Sequence, residues 1–76
     1  MTNRKVKYTV VELNILTDKV TVLGKFYDDI AEADKMLMQA IKAKKEQIKN
    51  EEKYICLYYQ LKANGLVIAD VRVANK

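Results

Sequence analysis

The sequence predicts an α+β domain of order ββαββ, a four-stranded antiparallel sheet of two hairpins with one long helix packed on one face. Three observations carry that expectation. Residues 5–27 hold two β-rich runs separated by a turn, residues 29–49 hold an uninterrupted helical pattern, and residues 53–73 alternate in polarity around Ala63-Asn64-Gly65. The 76 residues suffice for one domain, taken as residues 1–76.

The first run, residues 5–15, is rich in β-branched and aromatic side chains, which favour a pleated surface. The second, residues 19–27, alternates so that Val20, Val22, Gly24 and Phe26 share a face. Thr17-Asp18 supplies the turn. With residue 15 opposite residue 20, Ile15, Leu13, Val11 and Thr9 join that face, which is the more apolar one and is expected to meet the helix. Tyr8, Val10, Glu12, Leu23, Lys25 and Tyr27 would then lie on the outer face.

The helix follows. Asp29 and Glu32 stand in the spacing of a capping box, and residues 30–40 are strong helix formers. At 100° per residue, Ile30, Ala33, Leu37, Ile41 and Ile48 form one apolar stripe. Lys44 falls within it, so either its stem snorkels or the helix has left the sheet by that point.

The second hairpin joins residues 53–62 to residues 66–73. A two-residue Asn64-Gly65 turn with regular pairing sets Leu57 against Arg72 and Tyr59 against Asp70. A three-residue loop ending in a left-handed glycine gathers Ile55, Leu57, Tyr59, Leu61, Val67, Ala69, Val71 and Val73 on one apolar face. A one-residue slip reverses every side chain, so the hydrophobic pattern favours the three-residue loop. Tyr54, Cys56, Tyr58, Gln60, Lys62, Ile68, Asp70 and Arg72 then point outward.

Function is narrowed mainly by exclusion. The chain has no His, which removes the commonest general base and metal ligand. No phosphate loop, dinucleotide turn, nucleophile elbow or cysteine pair is present. The expectation is a non-enzyme with no catalytic, cofactor or metal residues. Cys56, the single thiol, reads as a half-buried apolar residue. The polar start, Met-Thr-Asn-Arg-Lys, predicts no signal peptide, and no run reaches the ~18 apolar residues of a membrane span. A cytoplasmic protein without membrane contact is expected.

Two surfaces stand out. The net charge of +4 comes from 12 Lys and 2 Arg, and Lys is a hydrated point charge rather than a phosphate-reading fork. Lys35, Lys42, Lys45 and Lys49 lie within about an 80° arc of the helix and form the candidate nucleic-acid contact. The opposing reading is a solvated face, because acids at the helix start and lysines at its end follow the helix dipole, with Lys42 and Glu46 spaced as an ion pair. The second surface is the open sheet face, with Tyr54, Tyr58, Ile68 and Arg72 as the candidate protein-interaction residues. With Val10, Leu23 and Leu66 also outward, a monomer would expose a broad apolar patch, and a second copy is the simplest cover. The favoured expectation is a protein-binding, homodimeric module of the inhibitor or regulator kind. Small Lys-rich α+β chains of this sort are common among phage and mobile-element accessory proteins, an association of size and composition only. Nucleic-acid binding, through the Lys-rich helix face or by base stacking on the Tyr-bearing sheet face, is the alternative.

Overall fold

The computed structural model describes residues 6–76 and has the expected order: β1 (Tyr8–Asn14), β2 (Lys19–Tyr27), α1 (Ile30–Ile48), β3 (Cys56–Ala63) and β4 (Leu66–Ala74). The four strands form one antiparallel sheet in the order β2-β1-β3-β4, with α1 packed across one face. The expected strand start at residue 5 lies outside the described residues.

The helix starts where its chemistry dictates. Asp29 is extended, and its carboxylate accepts from the Ala31 backbone N–H at 3.1 Å, satisfying one of the free donors of the first turn. Ala33, Leu37, Ile41 and Ile48 of the expected stripe are buried against the sheet, whereas Ile30, in the first turn, stays exposed. Each buried Leu or Ile contributes on the order of 2 kcal/mol through apolar area removed from water.

The second hairpin reaches the expected face by a different route. Asn64 and Gly65 both have positive φ, 49° and 85°, and form a two-residue turn rather than the three-residue loop. Regular pairing from that turn would have mixed the faces. A bulge at Ile68 inserts one residue into β4 between the Lys62–Val67 and Leu61–Ala69 pairs, so Leu57, Tyr59 and Leu61 oppose Val73, Val71 and Ala69. Val67, on the turn side of the bulge, consequently leaves the apolar face and is exposed. Asn64 also ties the turn to the chain before β1: its N–H donates to the Lys7 carbonyl and its Oδ1 accepts from the Lys7 N–H, both at 2.9 Å.

The first hairpin is turned over relative to the expectation. Its loop is four residues, Ile15–Asp18, with Leu13 opposite Val20 and Val11 opposite Val22. The face carrying Tyr8, Val10, Leu23 and Tyr27 packs under the helix, and the face carrying Val11, Leu13, Val20, Val22 and Phe26 is left uncovered. The reason is long-range. β1 pairs with β3 so that Val10 opposes Leu61 and Glu12 opposes Tyr59, and opposed residues point to the same side. Once β3 commits Leu57, Tyr59 and Leu61 to the core, Val10 and Glu12 must follow.

Glu12 is tolerated there because it is satisfied. The Tyr59 hydroxyl donates to its Oε2 at 2.6 Å, and the Lys44 Nζ lies 3.7 Å from the same oxygen. Lys44 thus does not mark a helix leaving the sheet, and its side chain stays partly open to water. It meets the one acid on the covered face of β1. Tyr59 is 1% exposed, and burial, the hydrogen bond to Glu12 and the negative charge of Glu12 hold its phenol well above the ordinary tyrosine range.

Candidate functional site

The uncovered sheet face is organised in rows across the four strands. One row reads Val22, Val11, Gln60, Asp70; the next reads Val20, Leu13, Tyr58, Arg72. Each row passes from apolar side chains on β2 and β1 to polar or amphipathic ones on β3 and β4. Val20, Val22 and Phe26 are 57%, 53% and 63% exposed, and Ile15 and Leu16 are exposed in the loop at the end of this hairpin. Phe26 belongs to this face because its neighbour Tyr27 packs against the core. A contiguous apolar surface of this kind is one that monomers rarely leave in water. Val11 at 4% and Cys56 at 1% are buried on the same side although no layer covers it.

The four residues expected from sequence to form the docking site divide. Tyr58 and Arg72 are directly opposed on β3 and β4, and the Arg72 Nη2 donates to the Tyr54 hydroxyl at 3.0 Å. That hydrogen bond, with the nearby Cys56 and Tyr54 adding to it, raises the Arg72 pKa further above its already high value. Ile68 is exposed at the bulge near the hairpin tip, about 13 Å along β4 from Arg72 at 3.3 Å per residue. Tyr54, Tyr58 and Arg72 form one cluster; Ile68 stands apart. Tyr8 and Tyr27, expected on the outer face, are packed against the core, as are Val10 and Leu23. The apolar half of the open face, Leu13, Val20, Val22 and Phe26, lies on the side of the first hairpin expected to meet the helix, and three of its four residues are more than half exposed.

Asn75 fixes the approach to this face. Its Nδ2 donates to the Glu51 and Lys53 carbonyls at 3.0 and 2.7 Å, and its Oδ1 accepts from the Ile55 N–H at 2.9 Å. The segment carrying Tyr54 is held by these three side-chain bonds, with the Asn75 N–H donating to the Ile55 carbonyl at 3.3 Å, rather than by a strand, which begins only at Cys56.

Lys35, Lys42, Lys45 and Lys49 are all exposed on α1 or its C-cap, away from the sheet. Lys49 pairs with Glu46 at 3.1 Å, in place of the expected Lys42–Glu46 pair. Lys35 lines a cleft of about 260 Å³ with Tyr27, Glu32, Met36 and Gln39. That volume is below the roughly 300–1,000 Å³ of small-molecule pockets. Among the described residues, no three His, Cys, Asp or Glu side chains gather in a metal-binding group. No helix of the described residues is long and apolar enough to cross a membrane. No protein-family model, curated protein or solved structure matches the chain.

Proposed function

We propose that this chain is a non-enzymatic protein-interaction module that docks through the open face of its sheet. The observation that carries the reading is the exposure of Val20, Val22 and Phe26 in one surface with Leu13 and Tyr58. Burying such a surface contributes about 25 cal/mol per Å² of apolar area, and the flanking Tyr54, Tyr58 and Arg72 are the residue types that dominate interface energetics. The docking centre is therefore displaced from β3 and β4 toward β1 and β2, with Tyr58 and Arg72 as its polar margin.

The helix supports a nucleic-acid reading less well. Glu32, Asp34 and Glu46 are exposed on the same helix, and Lys49 is already paired with Glu46. Of the tyrosines, Tyr54 and Tyr58 lie by the open sheet face and not on the helix, and Tyr27, beside Lys35, is half-buried against the core.

A photo-reactive side chain placed at Val22, and separately at Lys42, tests the proposal. Irradiation in extract of the producing cell should yield protein adducts from position 22 and none from position 42. Adducts from position 42 alone would refute docking through the sheet.

A further inference from the structure

We infer that the occupant of the open face is a second copy of this chain, stacked sheet on sheet about a two-fold axis that lies between the sheets and runs across the strands. The inference rests on the docking reading above and names its partner.

The order of residues within the two central rows is self-complementary. A two-fold axis crossing the strands midway between the rows brings each row of one protomer over the other row of its partner. Val22 then lies over the partner's Val20 and Val11 over the partner's Leu13, so apolar meets apolar. Gln60 lies over the partner's Tyr58, and Asp70 over the partner's Arg72, so acid meets base. The symmetry repeats each pairing, giving two Asp–Arg contacts at one margin and a continuous apolar seam at the other. This is the self-complementarity an isologous interface requires. An axis parallel to the strands would instead stack β2 on β4, setting Val20 and Val22 against charged positions.

Arg72 can serve both contacts. Its guanidinium carries five donors, one of which is engaged by Tyr54. Lys62, one row from the centre, falls toward the rim, where its stem can lie along the sheet and its ammonium can reach water.

The size is sufficient. Four strands at ~4.8 Å spacing and ~7 residues at ~3.3 Å give a flat footprint of roughly 450 Å² per face. Two faces supply roughly 900 Å² in projection, and side-chain relief carries the buried area past the ~1,000 Å² expected of a specific interface. Pairing through sheet edges is the poorer route. Both edge strands carry irregular pairing, at Gly24–Phe26 in β2 and at Ile68 in β4, and β2 carries Lys19 and Lys25, devices that blunt an edge.

The test is a charge exchange read by sedimentation equilibrium. The wild type should sediment at twice the chain mass at micromolar concentration. Asp70→Arg alone sets Arg over Arg at both symmetric contacts, and Arg72→Asp alone sets Asp over Asp. Each should raise the dimer dissociation constant at least tenfold while leaving the circular dichroism unchanged, since both side chains are exposed. An equimolar mixture of the two variants restores every opposite-charge contact and should recover the dimer. Val22→Asp, at the apolar seam, should abolish it. A wild type that remains monomeric at ~100 µM, or a mixture that fails to recover the dimer, overturns the inference. Monomeric wild type that still forms adducts with a different protein from position 22 would overturn the second copy and leave the docking reading standing. A dimer indifferent to Val22→Asp would place the contact elsewhere and overturn the sheet-on-sheet pairing, while the adducts from positions 22 and 42 decide the docking reading separately.

Discussion

Glu12→Ala should be among the most damaging single substitutions in β1, although it removes a charged side chain from a strand. The Tyr59 hydroxyl, at the end of a side chain 1% exposed, has Glu12 Oε2 as its acceptor at 2.6 Å. Removing the carboxylate leaves that part-buried hydroxyl without its acceptor, which costs about 1–3 kcal/mol, and also removes a hydrogen bond to a charged acceptor. The expected loss is about 2–3 kcal/mol, out of a total near 4–11 kcal/mol for a chain of this length at ~0.05–0.15 kcal/mol per residue. Tyr59→Phe should cost less, about 1 kcal/mol, because Glu12 keeps Lys44 and is partly open to water. Removing both partners leaves no orphaned hydroxyl, so the double variant should be more stable than the sum of the single losses by about 1–2 kcal/mol. Urea unfolding followed by circular dichroism reads all three. With a slope near 1 kcal/mol/M, Glu12→Ala should lower the midpoint by about 2 M. A loss below about 0.5 kcal/mol for Glu12→Ala, or strict additivity in the double variant, would show that Glu12 does not lie beneath the helix.

The same pair sets an alkaline limit. The Tyr59 phenol is held neutral in the fold, so the stability it confers is complete below the unfolded tyrosine pKa near 10 and is lost as pH rises beyond it. Stability measured from pH 9 to 11 should fall by up to about 1.4 kcal/mol per unit from this group, and Tyr59→Phe should remove that part of the slope. Gly24→Ala should destabilise by about 1–2 kcal/mol, because Gly24 has φ +70° and an added Cβ would sit 2.5 Å from the Tyr27 hydroxyl; thermal unfolding of that variant checks it. Asn75→Ala should cost about 2 kcal/mol through three lost hydrogen bonds, and amide exchange should quicken at Ile55. Labelled single-stranded DNA, duplex DNA and RNA should show no anisotropy change with micromolar protein at low salt; binding that weakens steeply with salt would move the site to Lys35, Lys42, Lys45 and Lys49.

Much of the fold was legible because it is set by local chemistry. The Asp29 cap, the Ala33, Leu37, Ile41 and Ile48 stripe and the apolar face of β3 and β4 all follow from spacing along the chain. The Asn64-Gly65 turn was legible as a turn but not in its length, since the hydrophobic pattern fixes which residues share a face and leaves open whether a longer loop or a bulge delivers it. The orientation of the first hairpin was not legible, because both of its faces carry apolar side chains and only the pairing of β1 with β3 decides between them. One signal did exist. Lys44 in an otherwise apolar helical stripe asks for a carboxylate beneath it, and Glu12 is the acid within β1. Joining those two anomalies places Val10 inward and Val20, Val22 and Phe26 outward. The exposure of Val20, Val22 and Phe26 was not legible for the same reason, since they share the more apolar of the two faces of that hairpin.

Methyl NMR with a soluble paramagnetic agent tests the central claim, that the Val20 and Val22 face is open in the monomer and covered on association. In dilute protein the methyls of Val20 and Val22 should relax strongly while those of Val10 and Val73 stay protected. As concentration rises, Val20 and Val22 should become protected and Val10 should not change. Strong relaxation at Val10 with protection at Val22 throughout the dilution series would contradict the account.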